Sequence, residues 1–270
     1  MTVGRTLRHL ALFAAAVFFL MPVYVLLVTS FKSAGEVDVA HMWSLPKSFS
    51  FDTFAAVWPK LQDGMFNSFM VAVPASLISS LLGAANGFVL AKWRFPGADI
   101  VFPIILFGMF IPYQAIIIPM FQVMVSVGLY GGLDGLILVH IIYGLPITTL
   151  IFRSFFAGLS DELIEAARVD GAGMLRTFFF VGLPLALPAF AVSMIWQFTS
   201  AWNDFLFGLI LTRTEYWPVT VALNNIAGAQ TVPFNQAMAS ALLASIPTLV
   251  VYLLLGRFFM RGLMAGALKG

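Results

Sequence analysis

The sparse distribution of charge constrains this chain more than any other feature of its sequence. Six stretches free of Asp, Glu, Lys and Arg follow one another, with lengths from 18 to 41 residues. A helix that crosses a bilayer needs about 20 apolar residues, so each stretch has room for one. Helices are the expected spanning form because every backbone amide must be paired inside lipid, and the stretches lack the alternation of barrel strands.

The composition indicates the same class of protein. Hydrophobic residues make up 61% of the 270 residues and charged residues only 10%, whereas about a quarter of an average globular protein is charged. A water-soluble domain of this size would lack the charge to cover its surface. The 14 Lys and Arg are dispersed, so no basic run indicates nucleic acid. The absence of Cys excludes disulfides and thiolate metal sites.

These gaps predict an all-α, polytopic membrane helix bundle, a single transmembrane domain over residues 1–270 with six transmembrane helices. The two longest gaps are each assigned one helix and an uncharged loop, marked by glycines at 128–132 and by the segment 228–235. The predicted spans are 10–29, 67–91, 100–122, 135–152, 183–202 and 238–259.

The distribution of Lys and Arg predicts the orientation of these spans. Six spans leave both termini on one side of the membrane. With the amino terminus inside, the inner segments carry ten Lys and Arg and the outer segments carry four. The positive-inside rule therefore places both termini in the cytoplasm.

The first outer loop contains a helical pattern. Within the segment 51–58, apolar residues recur at helical spacing and Asp52 suits a first helical turn. We expect an interfacial helix that lies on the outer leaflet; the alternative is an ordinary loop with scattered aromatic residues.

The inner loop between the fourth and fifth spans, residues 153–182, also predicts a helix. Ser160 is a good N-cap, acids follow in the first turn, and Gly171 would end the helix as a left-handed cap. Ala166 and Ala167 share a face that would let another protein approach closely. The alternative is a plain connector, but a connector needs neither a capped helix nor four carboxylates within ten residues.

This loop carries a resemblance to a known family. Glu165-Ala-Ala, three residues, Gly171, nine residues and then Val181-x-Leu183-Pro184 resemble the EAA loop of ABC importer permeases. The fuller sequence Glu-Ala-Ala-Arg-Val-Asp-Gly-Ala resembles the carbohydrate-uptake branch of that family. The segments 92–97, 202–205 and 262–270 agree, and the whole chain is similar to the smaller permease subunit of the maltose importer.

The resemblance implies the type I ABC importer permease fold, with a cytoplasmic coupling helix between spans four and five. In that family the EAA helix docks in a cleft of a cytoplasmic ATPase subunit and transmits closure of the ATPase dimer. The chain contains no Gly-Lys pair and hence no Walker A loop. It is therefore expected not to be an enzyme, with no cofactor of its own and with ATP and Mg bound by the partner ATPase. The implied coupling residues are Glu165, Ala166, Ala167, Asp170 and Gly171.

Two further contact regions are implied by the maltose importer. Its tail reaches between the ATPase subunits, and its last outer loop enters the binding protein and helps displace the sugar. A solvated chain end and a plain connecting loop are the alternatives here. The corresponding tail residues are Gly266, Leu268, Lys269 and Gly270. The corresponding loop residues, expected to form a flexible probe, are Asn224, Asn225, Gly228 and Gln230.

Polar residues within the spans are candidates for lining a transport pathway. Such groups usually face a bundle interior or a water-filled path, although hydrogen bonds between helices explain most of them equally well. His140 is the one ionisable residue far from a span end, and we expect a neighbouring residue to satisfy it. In the maltose importer the larger subunit holds the sugar, so no sugar site is implied here. The pathway candidates are Asn86, Gln114, Gln197 and Asn203.

Together these observations predict a permease subunit of an ATP-driven, binding-protein-dependent sugar importer in a bacterial or archaeal inner membrane. Its expected partners are a second homologous permease, two ATPase subunits and an extracytoplasmic sugar-binding protein. The sequences of the outer loop and tail resemble those of permeases that import glucose, mannose or small glycosides. The alternatives are a permease for a non-sugar solute, a secondary carrier, which would need intramembrane carboxylates, or a membrane-embedded enzyme, which would need a catalytic constellation.

Overall fold

The computed structural model describes residues 2–38, 40–93, 95–229 and 232–267, with side chains described between residues 4 and 256 of those ranges. These residues are predominantly helical, and an isolated bridge between Gly131 and Thr212 is the one β-type pairing among them. The helices are α1 Thr2–Ser30, α2 Asp52–Lys92, α3 Ala98–Phe107, α4 Tyr113–Ser126, α5 Leu133–Ala157, α6 Asp161–Val169, α7 Met174–Thr177, α8 Leu183–Leu185, α9 Leu187–Trp202, α10 Leu206–Leu211, α11 Val219–Gly228 and α12 Phe234–Ala267. The all-α membrane fold is confirmed.

Length and hydropathy identify the helices that suit a bilayer. Within the described residues four helices are long and apolar enough to cross one, namely α1, α2, α5 and the part of α12 up to Gly256. Two bent pairs raise this number to six if each pair forms one span. Large apolar side chains of α1, including Phe13 and Phe19, are more than two thirds exposed, as expected for a lipid-facing helix. The count of six spans stays a prediction.

The predicted spans 100–122 and 183–202 are wrong as single helices. The first is divided between α3 and α4, whose axes differ by 98°, and the second is bent by 77° where α9 begins. A residue before proline is driven out of the α region, and Ile111, before Pro112, has φ −78° and ψ 114°. Ala186, with a proline two residues away on either side, interrupts the second with ψ 6°.

Two further expectations about loops are corrected. The segment 51–58 is helical from Asp52, but it forms the first turns of α2, which continues to Lys92; a separate interfacial helix is wrong. The uncharged region before the last span was expected to be a loop, yet α11 occupies 219–228 and α12 already begins at Phe234. A stretch without charged residues shows that a segment is apolar, but it does not show where a helix begins or ends. Both the start of α2 and the helix α11 were therefore misassigned.

The chain divides into two compact units. The first comprises residues 1–63 and 221–246. Its interior contains the side chain of Lys32, which is 1% exposed. The Lys32 ammonium donates a hydrogen bond to the carbonyl oxygen of His41 at 2.7 Å. The amide of Asn235 donates to the carbonyl oxygen of Lys32 at 2.9 Å and to the hydroxyl of Thr53 at 3.1 Å. Polar contacts therefore join the ends of α1, α2 and α12 within this unit.

The second unit comprises residues 64–220 and 247–270. Here α2 packs on α5 through Gly83 and Gly87, which are four residues apart in a Gly-x-x-x-Gly arrangement that permits close approach. A Cβ atom on Gly87 would lie 2.6 Å from the backbone nitrogen of Arg153. Next to this contact is an aromatic core. It contains Phe88 of α2, Phe156 of α5 and other buried residues of α5, α6 and the π-helical turn Phe178–Gly182.

Candidate functional site

Both ends of α6 have the caps that the sequence predicts. The hydroxyl of Ser160 accepts a hydrogen bond from the backbone N–H of Glu162 at 3.2 Å, which satisfies one free donor of the first turn. Gly171 has φ +80°. The N–H of Ala172 donates to the carbonyl of Ala167 at 2.9 Å, and that of Gly171 donates to Arg168 at 3.0 Å. These two bonds form a Schellman motif, so the helix end is fixed by its own sequence.

The two faces of α6 differ sharply in burial. Ile164 is 3% exposed and packs into the aromatic core with Phe88, Phe156 and Phe178. The rest of the helix is accessible: it presents small and acidic side chains together with the apolar Leu163 and Val169, and Ala167 is half-buried. The exposed members among the predicted coupling residues are Glu165, Ala166, Asp170 and Gly171. The structure thus brings the five predicted residues together along one accessible part of α6 and its C-cap.

Space around Gly171 is open. A Cβ atom built on this residue would meet no atom within 4 Å. A substitution here would therefore strain the backbone, because φ is positive, without clashing inside the chain. The end of α6 is therefore accessible at Gly171.

Contacts between α6 and the end of α2 were missed by the sequence analysis. The ammonium of Lys92 donates to the carbonyl of Leu159 at 2.6 Å and to a carboxylate oxygen of Asp161 at 2.5 Å. At the other end of α6, the guanidinium carbon of Arg168 lies 4.2 Å from the ring centroid of Trp93. In the sequence, Lys92 and Trp93 enter only as part of the family resemblance at 92–97. The sequence does contain a signal for such a contact: a charged residue in the last turn of a spanning helix, followed later in the chain by a helix that begins with acidic residues.

The four pathway candidates occupy different environments. Gln197 is 2% exposed and donates to the carbonyl of His140 at 2.7 Å, which matches the expected hydrogen bond between helices. The Asn86 amide donates to the Thr149 hydroxyl at 3.4 Å. Gln114 and Asn203 are exposed, at the start of α4 and just after α9. Their role in a transport pathway stays a prediction.

His140 has an acidic neighbour that the sequence analysis did not pair with it. Its Nε2 atom lies 3.6 Å from a carboxylate oxygen of Asp204, which is a close electrostatic approach but too long for a hydrogen bond. The Asp204 carboxylate accepts backbone N–H bonds from Phe207 and Gly208 at 3.3 and 2.9 Å. Asp204 therefore caps the first turn of α10.

The predicted binding-protein and tail residues are only partly described. Asn224, Asn225 and Gly228 are exposed, but they lie in α11, so the expectation of a flexible probe is wrong for them. Their helix is amphipathic, with Val221 and Ile226 buried. Gln230 lies outside the described residues, as do Leu268, Lys269 and Gly270, whereas Gly266 is in the last turns of α12.

No cluster of His, Cys, Asp or Glu large enough to hold a metal ion occurs in the part of the chain that the structure describes. The residues of α6 have a different chemical character. They offer carboxylates, small side chains and a fixed helix end, which suit contact with a basic or closely packed protein surface.

Comparisons with known proteins agree with this arrangement. Residues 83–264 match the family described as binding-protein-dependent transport system inner membrane component. The chain is 38% identical to a probable ABC transporter permease protein of Pyrococcus horikoshii, with 98% of each chain covered. It is 34% identical to the glucose import system permease protein of Saccharolobus solfataricus, covering 97% of this chain and 94% of that one. The diacetylchitobiose uptake system permease protein of Streptomyces coelicolor is also 34% identical, with 91% and 83% covered.

A solved structure shows the same fold. It is the crystal structure of a bacterial ABC transporter involved in the import of the acidic polysaccharide alginate, with a TM-score of 0.83 and 24% identity over 95% of this chain and 96% of that one. The family match covers most of the chain and includes α6 with both of its caps. This multi-pass membrane protein belongs to the binding-protein-dependent transport system inner membrane components, the permeases of ABC importers.

Proposed function

We propose that this chain is the permease subunit of an ATP-driven sugar importer and that α6 is its docking helix for a cytoplasmic ATPase. The observation that carries the proposal is the division of α6 into two faces. Ile164 fixes the helix to the aromatic core, while Glu165, Ala166 and the open space at Gly171 are accessible. Small residues allow a partner to approach closely, and Glu165 offers a charge-assisted hydrogen bond.

The sugar class is supported by the names of similar proteins. Relatives at 34% identity over nearly the whole chain import glucose or diacetylchitobiose by name. Within this class we propose glucose, mannose or a small glycoside as the substrate. A permease for a non-sugar solute is the second candidate, because a relative at 30% identity is named for the uptake of osmoprotective compounds.

The proposed assembly contains four membrane and cytoplasmic subunits and one external protein. This chain forms half of the path beside a second homologous permease, two ATPase subunits bind ATP and Mg, and an extracytoplasmic binding protein delivers the substrate. Both termini are proposed to lie in the cytoplasm of a bacterial or archaeal cell, since Lys and Arg then concentrate inside. Closure of the ATPases would move α6 and open the path outward, and hydrolysis would reset it.

Two further contacts belong to the proposal. The exposed asparagines of α11, Asn224 and Asn225, would face the binding protein together with Gly228 and Gln230. The tail residues Gly266, Leu268, Lys269 and Gly270 would contact the ATPases. Both assignments come from the resemblance to the maltose importer.

Substitutions on α6 test the docking role. Gly171→Asp adds backbone strain of about 1 kcal/mol and a side chain in the docking space, and Glu165→Ala removes a charge-assisted bond of about 1.5–3 kcal/mol. Both variants are expected to insert normally, to co-purify with less ATPase and to lose most ATP-driven uptake of labelled sugar in proteoliposomes. The matched control is Gly128→Asp, since Gly128 also has φ +74° and open space but lies in the loop after α4.

The controls separate the rival functions. For an importer of this family, we expect that wild-type uptake needs internal ATP and persists when a protonophore is added. A secondary carrier would show the opposite: uptake without ATP that the protonophore abolishes. Full uptake by Gly171→Asp, or equal losses in Gly171→Asp and Gly128→Asp, would contradict docking at α6.

A further inference from the structure

We propose that Lys92 and Trp93, the residues at and just after the end of α2, clamp both ends of α6 and make α2 the helix that receives its movement. The inference rests on the proposed docking of α6 to an ATPase. It assigns positioning roles to residues outside the docking face, which the family resemblance does not name. The geometry that carries it is a set of contacts along one side of α6.

The first end of the clamp is an ion pair with a backbone anchor. The Lys92 side chain is 4% exposed, and its ammonium contacts both Asp161, the first residue of α6, and the carbonyl of Leu159 just before the helix. Contact with a carboxylate and a carbonyl together satisfies most of a buried ammonium and fixes its position. The start of α6 is thus tied to the last residue of α2.

The second end uses the opposite terminus of α6. The guanidinium of Arg168 stacks over Trp93 at 4.2 Å, and it donates to the backbone carbonyl of Lys92 at 3.4 Å. A cation above an indole face is held by the electrostatic quadrupole of the ring. Arg168 is in the last turn of α6, so the same short segment of α2 contacts both helix ends.

A third contact lies between the two ends. Ile164 packs against the cluster that contains Phe88, one turn before Lys92. Asp161, Ile164 and Arg168 are spaced i, i+3 and i+7, so they share one face of α6. This face points to the end of α2. The docking residues Ala166, Ala167 and Asp170 lie on the rest of the helix surface, and Glu165 is exposed at the edge of the shared face.

The chain connections of α6 make such a clamp necessary. Short links of residues 158–160 and 170–173 join it to α5 and α7, and three of these seven residues are glycine. Glycine lowers the resistance of a link to rotation, so the links alone would absorb part of any displacement of α6. Fixed side-chain contacts at three points would instead pass it to α2, a continuous helix of 41 residues.

The test distinguishes a role in positioning α6 from a role in docking the ATPase and from a role in folding of the chain. The complete importer is reconstituted with Asp161→Asn, Lys92→Met or Arg168→Gln, and sugar uptake and ATP hydrolysis are measured in the same vesicles. The clamp predicts that ATPase co-purifies in wild-type amounts, because the docking face is unchanged. Sugar transported per ATP hydrolysed should fall by about threefold or more.

Matched variants make the test specific. Asp99→Asn removes an acid from the first turn of α3, as Asp161→Asn does in α6, and both acids line the same polar cavity; Asp99→Asn should keep the wild-type ratio. The conservative variant Lys92→Arg keeps a cation that can donate to both the Asp161 carboxylate and the Leu159 carbonyl, so it should keep at least about half of the wild-type ratio.

Three results would overturn the clamp. The first is an unchanged transport ratio in both Lys92→Met and Asp161→Asn. The second is a loss in Lys92→Arg as large as the loss in Lys92→Met. The third is loss of ATPase co-purification in parallel with transport, which would make these residues part of folding or docking. A failure of the proposed function looks different, because the wild-type chain itself would then neither retain an ATPase nor transport with ATP.

Discussion

The two ends of α2 are each organised around a buried lysine, but the lysines bind different partners. At the carboxyl end, Lys92 contacts the carboxylate of Asp161, whose side chain is 67% exposed. At the amino end, the ammonium of Lys32 contacts backbone carbonyls of His41 and Met42 at 2.7 and 3.5 Å. The first arrangement ties α6 to α2 through a charge pair that reaches the surface, whereas the second holds the loop after α1 through neutral acceptors.

This difference indicates what each end is built to do. Neutral, buried hydrogen bonds such as those from Asn235 to Lys32 and Thr53 respond little to salt or to partners. The pair of Lys92 and Asp161 has a buried ammonium but reaches the surface through the Asp161 carboxylate, so salt and bound partners act on it more strongly. We therefore expect changes at the amino end to alter local order, and changes at the carboxyl end to alter coupling.

The largest effect on stability is expected from adding a methyl group where α2 packs on α5, near the carboxyl end of α2. In Gly87→Ala the new methyl group would lie 2.6 Å from the Arg153 nitrogen and 2.7 Å from Cβ of Phe152. Backbone would have to move, at a cost of about 2–3 kcal/mol. The thermal unfolding midpoint of the detergent-purified protein should fall clearly.

A second glycine provides the control for this change. Gly256 lies in α12 with no atom within 4 Å of a built Cβ. Gly256→Ala should leave stability unchanged or raise it by up to about 1 kcal/mol through helix propensity. Equal midpoints for Gly87→Ala and Gly256→Ala would contradict the close packing of α2 on α5.

A smaller effect is expected from Lys32→Met at the amino end. The substitution keeps the side-chain volume and removes the bonds to the His41 and Met42 carbonyls, but it also removes the cost of burying a charge. The net loss should be about 1 kcal/mol. Amide hydrogen exchange in segment 33–50 should accelerate, while sugar transported per ATP stays at the wild-type value. A changed transport ratio would show that the two ends of α2 do not differ as described.

The smallest effect is a pH dependence of the same loop. The pKa of Glu36 is lowered from 4.5, first by the backbone N–H of Lys47 and then by the hydroxyl of Ser33. A lowered folded pKa contributes stability that is complete above the unfolded pKa and is lost as the pH falls through the folded pKa. Amides of segment 33–47 should lose protection relative to Glu36→Gln as the pH falls below the ordinary glutamate pKa of 4.5. Identical pH profiles for the two proteins would contradict this contact.

Local signals explain why α6 was predictable. The cap at Ser160 and the stop at Gly171 depend on residues within the helix or next to it, so the sequence contains all that determines them. The fold class was predictable for a similar reason, because bilayer crossing requires only a sufficient apolar length.

Other features depend on what lies far away in the chain. Hydropathy cannot report the 98° bend after α3, although Pro112 offered a local hint. The bond between Lys92 and Asp161 joins residues 69 positions apart, and either residue alone reads as an ordinary interfacial charge. The helical state of Asn224 and Asn225 was missed because polar, glycine-containing segments also favour loops.

Cross-linking from α6 tests the central claim most directly. The chain has no Cys, so Ala166→Cys gives a single thiol at an exposed position of α6, and Val127→Cys gives one at a 57% exposed site after α4. With a short thiol-to-amine cross-linker and the intact importer, the account predicts that Ala166→Cys joins to the ATPase subunit and Val127→Cys does not. An intact complex in which Ala166→Cys forms no ATPase adduct, or in which Val127→Cys forms it instead, would contradict docking at α6.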